Sequence, residues 1–117
     1  MHHQSSEMQN CIDACQTCHM TCLQMAATHC LEMGGAHVEP AHMRLMLDCA
    51  EICQTSANFM LRGSPLHARV CSVCAEACER CAQECEQMAN GDQQMLACAE
   101  QCRRCAESCR QMAQMAA

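Results

Sequence analysis

The stretch CSVCAEACERCAQEC, residues 71–85, places five cysteines at steps of three, four, three and four. Such steps keep side chains on one face of an α-helix, so this is the spacing of a core seam. The seam recurs. CIDACQTCHMTC (11–22), CAEACERCAQEC (74–85) and CAEQCRRCAESC (98–109) all read C-x3-C-x2-C-x3-C. A fourth segment carries a reduced version with only Cys49 and Cys53. A chain with thiols where leucine normally sits is constrained to amphipathic helices that share an interior of sulfur.

Glycine and proline divide the chain into four such segments. The first runs from about 6 to 33 and stops at Gly34-Gly35; the second runs over 40–62, from Pro40 to just before Gly63. The third is expected over 65–89, with Ser64 as its cap and Pro65 in its first turn; the fourth spans 92–115, with Asp92 as its cap. No segment contains an internal Pro or Gly, strong helix formers fill all four, and none alternates with the period of a strand. Short connections favour antiparallel neighbours. The expected fold is all-α: an antiparallel up-down-up-down four-helix bundle with a Cys-lined core, one domain over 1–117.

The seams are Met8, Cys11, Cys15, Cys18, Cys22, Met25 and His29; His42, Met46, Cys49, Cys53, Ser56 and Met60; His67, Cys71, Cys74, Cys78, Cys81, Cys85 and Met88; and Met95, Cys98, Cys102, Cys105, Cys109 and Met112. Only Cys30 lies off the strict seam, one position past His29. Glu76, Glu79, Glu86, Glu100, Arg80 and Arg103 fall on the outward faces.

Composition agrees. Seven Leu, two Ile, three Val and one Phe are too few for an ordinary core, whereas sixteen Cys and twelve Met supply buriable side chains. A formal charge of −6, no lysine and no basic patch beyond Arg103-Arg104 argue against nucleic acid as a partner. No apolar run approaches membrane-spanning length. The opening MHHQSSEMQN lacks the basic and apolar regions of a secretory signal, so a cytoplasmic location is expected. No Ser-His-Asp arrangement, phosphate loop or paired catalytic carboxylates stand out, and the chain is read as a non-enzyme.

In a reducing cytosol this many cysteines indicate metal or redox chemistry rather than cystines. Thiols four apart on a helix have Cβ atoms ~5–6 Å apart, beyond the ~3.5–4.5 Å a disulfide needs. Soft sulfur ligands select Cu(I), Zn(II) or iron–sulfur clusters. The C-x2-C pairs lie inside helices without glycine, poor geometry for a zinc knuckle, and the ferredoxin run is absent. Cu(I) accepts few ligands, and seven cysteine pairs stand four apart: 11/15, 18/22, 49/53, 74/78, 81/85, 98/102 and 105/109. One Cu(I) per thiolate leaves the interior neutral, so a filled core holds on the order of 16 ions. The alternatives are a general soft-metal or zinc sequestration protein, and a thiol or iron–sulfur redox protein.

The repeated C-x3-C pairs on four helices resemble the bacterial four-helix-bundle copper storage proteins, in particular their cytosolic branch, over essentially the whole chain. The resemblance implies storage and buffering of many Cu(I) ions, assembly as a homotetramer, and exchange with a copper donor or acceptor protein. It implies ligation by Cys11, Cys15, Cys18, Cys22, Cys30, Cys49, Cys53, Cys71, Cys74, Cys78, Cys81, Cys85, Cys98, Cys102, Cys105 and Cys109. His29, His42, Met43 and Met46 are further metal candidates.

In the expected bundle one end gathers Met25, His29, Cys30, Met33, His37, His42, Met43, Met46, Met88 and Met95. The other gathers Met8, Ile12, Phe59, Met60, Leu61, Leu66, His67, Val70 and Met112. Thioether and imidazole bind Cu(I) more weakly than thiolate, which makes the first end the expected mouth and the second a hydrophobic plug. His67 points inward at that plug, to ligate metal or to pair with a backbone carbonyl, and His19 is expected at the periphery.

Overall fold

Local chemistry sets the helix starts. Ser5 Oγ accepts the amide of Met8 at 3.1 Å at the first helix, and Pro40 opens the second. At the fourth, Asp92 Oδ1 accepts the amides of Gln94 and Met95 at 2.9 and 3.2 Å. The computed structural model describes residues 5–115. The first helix runs Ser6–Gln24 and continues through a π-helical turn, Met25–Cys30, into a last α turn, Leu31–Met33. The others are Pro40–Leu61, His67–Ala89 and Gln93–Met115. Among the described residues there is no strand.

The third helix starts two residues later than its Ser-Pro signal suggested. Ser64 Oγ accepts the amide of Leu66 at 3.1 Å, and the Ser64 carbonyl accepts that of His67 at 3.2 Å. The serine thus closes a local turn and caps nothing; Leu66 stands at the cap position without a side-chain bond.

Two connections turn on positive φ. Gly34, at φ 67 and ψ −156, ends the first helix in a conformation open only to glycine. Asn90, left-handed at φ 44, ends the third helix ahead of Gly91.

The first helix packs against the second and fourth, and the third against the same two, giving the antiparallel up-down-up-down bundle in a rod of 49 × 19 × 18 Å. All sixteen cysteines are fully buried, and small residues let the helices approach. Buried alanines recur one heptad apart: Ala50 and Ala57 on the second helix, Ala75, Ala82 and Ala89 on the third, Ala99 and Ala106 on the fourth. Each of Ala50, Ala75, Ala82, Ala99 and Ala106 directly follows a cysteine. The outward faces are charged as expected. Arg103 pairs with Glu86 across the third and fourth helices at 2.6 Å, and Arg110 pairs with Glu79. Solvent screens exposed pairs of this kind, so they orient the helices more than they hold them.

The π turn changes the phase of the first helix. A single turn of wider winding takes up an extra residue, so positions beyond it rotate relative to an uninterrupted α pattern. Cys30, off the seam by α-helical counting, is thereby fully buried, while His29 keeps 15% of its side chain exposed.

Candidate metal centre

The seam spacing delivers four rows of thiols to one axis, and the antiparallel order sets which rows meet. Near the end that holds Cys11 and Cys71, Cys109 Sγ lies 3.7 Å from Cys11 and 3.4 Å from Cys15. The column continues through Cys15–Cys105 at 3.7 Å, Cys53–Cys105 at 3.8 Å, Cys53–Cys74 at 3.7 Å and Cys53–Cys78 at 3.5 Å. It then passes through Cys49–Cys78 at 3.7 Å, Cys22–Cys49 at 3.8 Å and Cys22–Cys102 at 3.4 Å. All sixteen thiols are free. The thiols stand at contact distance across helices, and among the described residues the four-thiol groups of the mid-tube contain cysteine alone.

Beyond Cys22 the ligand type changes. Met46 Sδ lies 3.3 Å from Cys81 and 3.6 Å from Cys85, so this fully buried thioether takes the place a thiol would hold on the sparse second helix. His42, also buried, sets Nε2 3.6 Å from Cys30 Sγ. Its Nδ1 has no hydrogen-bond partner, and Glu84 Oε1 stands 3.7 Å away. Burial holds His42 below the ordinary histidine range, with Glu84 opposing, so the ring is neutral and one of its two nitrogens keeps a lone pair that can bind metal. His37 stacks edge-on between His29 and His42, at 5.5 and 6.5 Å between centroids, and its Nδ1 is likewise buried and unpaired.

Proton chemistry along the column is cooperative. Cys18 is held below the ordinary thiol range, chiefly by its hydrogen-bond contact with Cys102, and Cys102 is pushed above it, chiefly by Cys18. Cys105 and Cys109 divide in the same way, Cys105 lowered and Cys109 raised. One thiol of each pair gives up its proton readily because the other keeps its own. Cys30 is pushed up to about 11, mainly by burial. A soft cation that replaces these protons removes the conflict.

Of the predicted site residues, the sixteen cysteines, Met46 and His42 converge on the axis. Met43 is half-buried against the core. His29 turns to Asp92 instead, Nε2 to Oδ2 at 2.7 Å. That hydrogen bond holds the Asp92 carboxyl below the usual carboxylate range and ties the helix cap to the mouth. Met33, grouped with the mouth in sequence, is 58% exposed.

At the other end the plug is narrower than expected. Ile12, Met60 and Met112 are buried, whereas Leu61 and Leu66 are half exposed to solvent. Phe59 is half-buried beneath the Arg62 guanidinium, 4.4 Å from its centroid. His67 Nδ1 donates to the Ser64 carbonyl at 2.8 Å, and His19 Nδ1 to the Ala50 carbonyl at 2.8 Å on the flank of the first helix. Sequence reasoning missed Glu84 and Asp92 as partners of the mouth histidines. It also missed the contact of Ser56 Oγ with Cys71 Sγ at 3.3 Å, although Ser56 occupies a seam position where the other helices carry cysteine.

Residues 4–114 match the family described as Copper storage protein (Csp). The chain is similar to the Nmul_A1745 protein from Nitrosospira multiformis, a crystal structure with TM-score 0.90 and 55% identity, covering 96% of this chain and 99% of that one. It is similar to the Cu(I)-bound copper storage protein BsCsp3, with TM-score 0.83 and 37% identity, covering 92% and 99%. A cytosolic copper storage protein from Streptomyces lividans, with five coppers, has TM-score 0.78 and 28% identity, covering 92% of each chain. Among curated proteins, an uncharacterized cysteine-rich protein, YhjQ of Bacillus subtilis, is 39% identical over 66 residues. That match spans 56% of this chain and 60% of the relative's length.

Proposed function

Because the chain belongs to the copper storage protein family, we propose that it stores and buffers Cu(I), taking many ions as cargo on the thiolates of its axis. One observation carries this reading: fully buried thiols from all four helices, linked by sulfur contacts into a column. Two-coordinate Cu(I) can bridge neighbouring thiolates along such a column, and one ion per lost proton keeps a dry interior neutral. The sixteen cysteines are the proposed ligands, joined near the mouth by Met46 and His42. Met43 and His29 lie at its rim, and their part is in capture. The protein acts as a store, not an enzyme.

The cytosol supplies the reducing conditions that sixteen free thiols need, and no described helix is long and apolar enough to cross a membrane. The proposed assembly is a homotetramer. Exposed Met20, Leu23 and Leu31 along the first helix supply apolar surface for it. Exchange with a copper donor or acceptor protein occurs at the His/Met end.

An anaerobic Cu(I) titration with metal analysis tests the store. The expected result is a colourless complex with on the order of 16 ions per chain, one per thiolate. Saturation at about four ions with zinc-like behaviour, or a brown product, overturns it. The mouth has its own test. His42→Ala combined with Met46→Leu slows Cu(I) uptake from a chromophoric chelator and leaves the final capacity nearly unchanged. An unchanged uptake rate removes this end as the route.

A further inference from the structure

We propose that the copper-free chain also holds divalent d10 cations, with Zn(II) as the probe, at two four-thiol sites in mid-tube, from which Cu(I) displaces them. The proposal concerns the same thiols as the copper reading but stands on how they are grouped.

Four sets of cysteines each bring four Sγ atoms within 4.8 Å of one another: 15/74/105/109, 18/49/53/78, 18/22/49/102 and 53/74/78/105. Tetrahedral zinc with Zn–S bonds of ~2.3 Å separates its sulfurs by ~3.8 Å. In the set 53/74/78/105 four of the separations are 3.5, 3.7, 3.8 and 3.9 Å. In the set 18/22/49/102 four are 3.4, 3.8, 3.8 and 3.9 Å. Four of the six separations in each set therefore lie near the zinc thiolate value, and the other two stay within 4.8 Å. The C-x2-C pairs make poor knuckles, as the sequence suggested, but no set uses one as a knuckle. Each set collects its sulfurs from three helices.

The sets overlap, which fixes the number of sites. Cys18 and Cys49 serve two sets, as do Cys53 and Cys78, and Cys74 and Cys105. Two sets can be disjoint, for example 18/22/49/102 with 53/74/78/105, but no three can be. The chain thus has room for two tetrahedral ions without shared sulfur.

Charge explains the order of exchange. A divalent ion on four thiolates would leave two negative charges in a dry tube, at high cost. A neutral site keeps two of its four thiols protonated, so it binds less tightly than a fully ionised one. Two Cu(I) replace one Zn(II) without change of charge, and two more then displace the remaining two protons. No electron transfer is involved.

The test is an anaerobic titration of the full copper-free chain with Zn(II) against a chromophoric chelator. Co(II) serves as a coloured substitute that reports tetrahedral thiolate ligation. The wild-type chain takes up two ions. Cys74→Ser removes two sets and leaves two that share Cys18 and Cys49, so one ion remains. Cys18→Ser likewise leaves one, because the remaining sets share Cys74 and Cys105. The double variant holds none, and Cys30→Ser, outside every set, still holds two. Cu(I) added to the zinc form releases both ions. Buried Ser56 beside Cys71 shows that the tube accommodates a hydroxyl, and far-UV circular dichroism verifies helicity in each variant. The wild-type number stands independently of the variants. Absence of chelator-competitive zinc, or two ions retained in the double variant, overturns the proposal. Cu(I) capacity separates the two readings: each single variant loses about one Cu(I) wherever its cysteine lies, and a wild-type chain that takes few Cu(I) ions defeats the copper reading whatever zinc does.

Discussion

Cu(I) loading raises the melting temperature of this chain by more than ~40 °C, followed anaerobically by helix signal. An ion held at one hundred times its dissociation constant adds ~2.7 kcal/mol to the folded state, so four ions already contribute ~11 kcal/mol. For a domain near 100 residues each kcal/mol moves the midpoint by ~4–8 °C. The copper-free form has little to set against this. Its core is cysteine and alanine with Met46, Met60, Met95, Met112 and Ile12, and small side chains bury little apolar area each. Removing copper with a strong chelator should return the low midpoint. A shift below ~10 °C would mean that the metal sits outside the structure that unfolds.

Replacing Cys18, Cys22, Cys49 and Cys102 together by serine lowers Cu(I) capacity by about a quarter, from on the order of 16 ions to on the order of 12. A hydroxyl is a hard ligand and stays protonated where a thiol does not, so each replacement removes one charge that copper neutralises. These four also join the Met46 end of the column to the Cys53 end, through Cys22–Cys102 at 3.4 Å and Cys22–Cys49 at 3.8 Å. Ions that enter at the proposed mouth and are bound for Cys15, Cys71 and Cys109 then cross a stretch poorer in sulfur, where Cys81 of the third helix remains, so the last ions load more slowly as well. Metal analysis after gel filtration gives the capacity, and stopped-flow against a chelator gives the rate. An unchanged capacity would show that copper is held elsewhere.

Much of this was legible in the sequence because helical phase is a local property. The steps of three and four in residues 71–85 fix one face of one helix, and repeating them on three helices leaves a shared axis as their only common destination. Legibility failed where phase or partnering is not local. Cys30 reads as misplaced until the π turn at Met25–Cys30 is known. His29 reads as a ligand because Asp92, its actual partner, lies 63 positions away. Leu61 and Leu66 read as part of the plug by nearness to a helix end, but nearness does not set which way a side chain faces, and both are half exposed. The four-thiol sets could not be read from spacing at all, because each is drawn from three helices and depends on their relative heights.

The buried alanines that recur each heptad beside the cysteines have a consequence for the scale of such a reservoir. By letting the backbones close in, they leave a bore only a few sulfur atoms across. Widening it with larger side chains would part the thiols instead of adding room. Capacity therefore grows with length alone: another seven residues on every helix extend the rod by ~10 Å and lengthen the column by one more tier. A protein built this way is a cylinder of fixed calibre, whose holding is set by how far its helices reach.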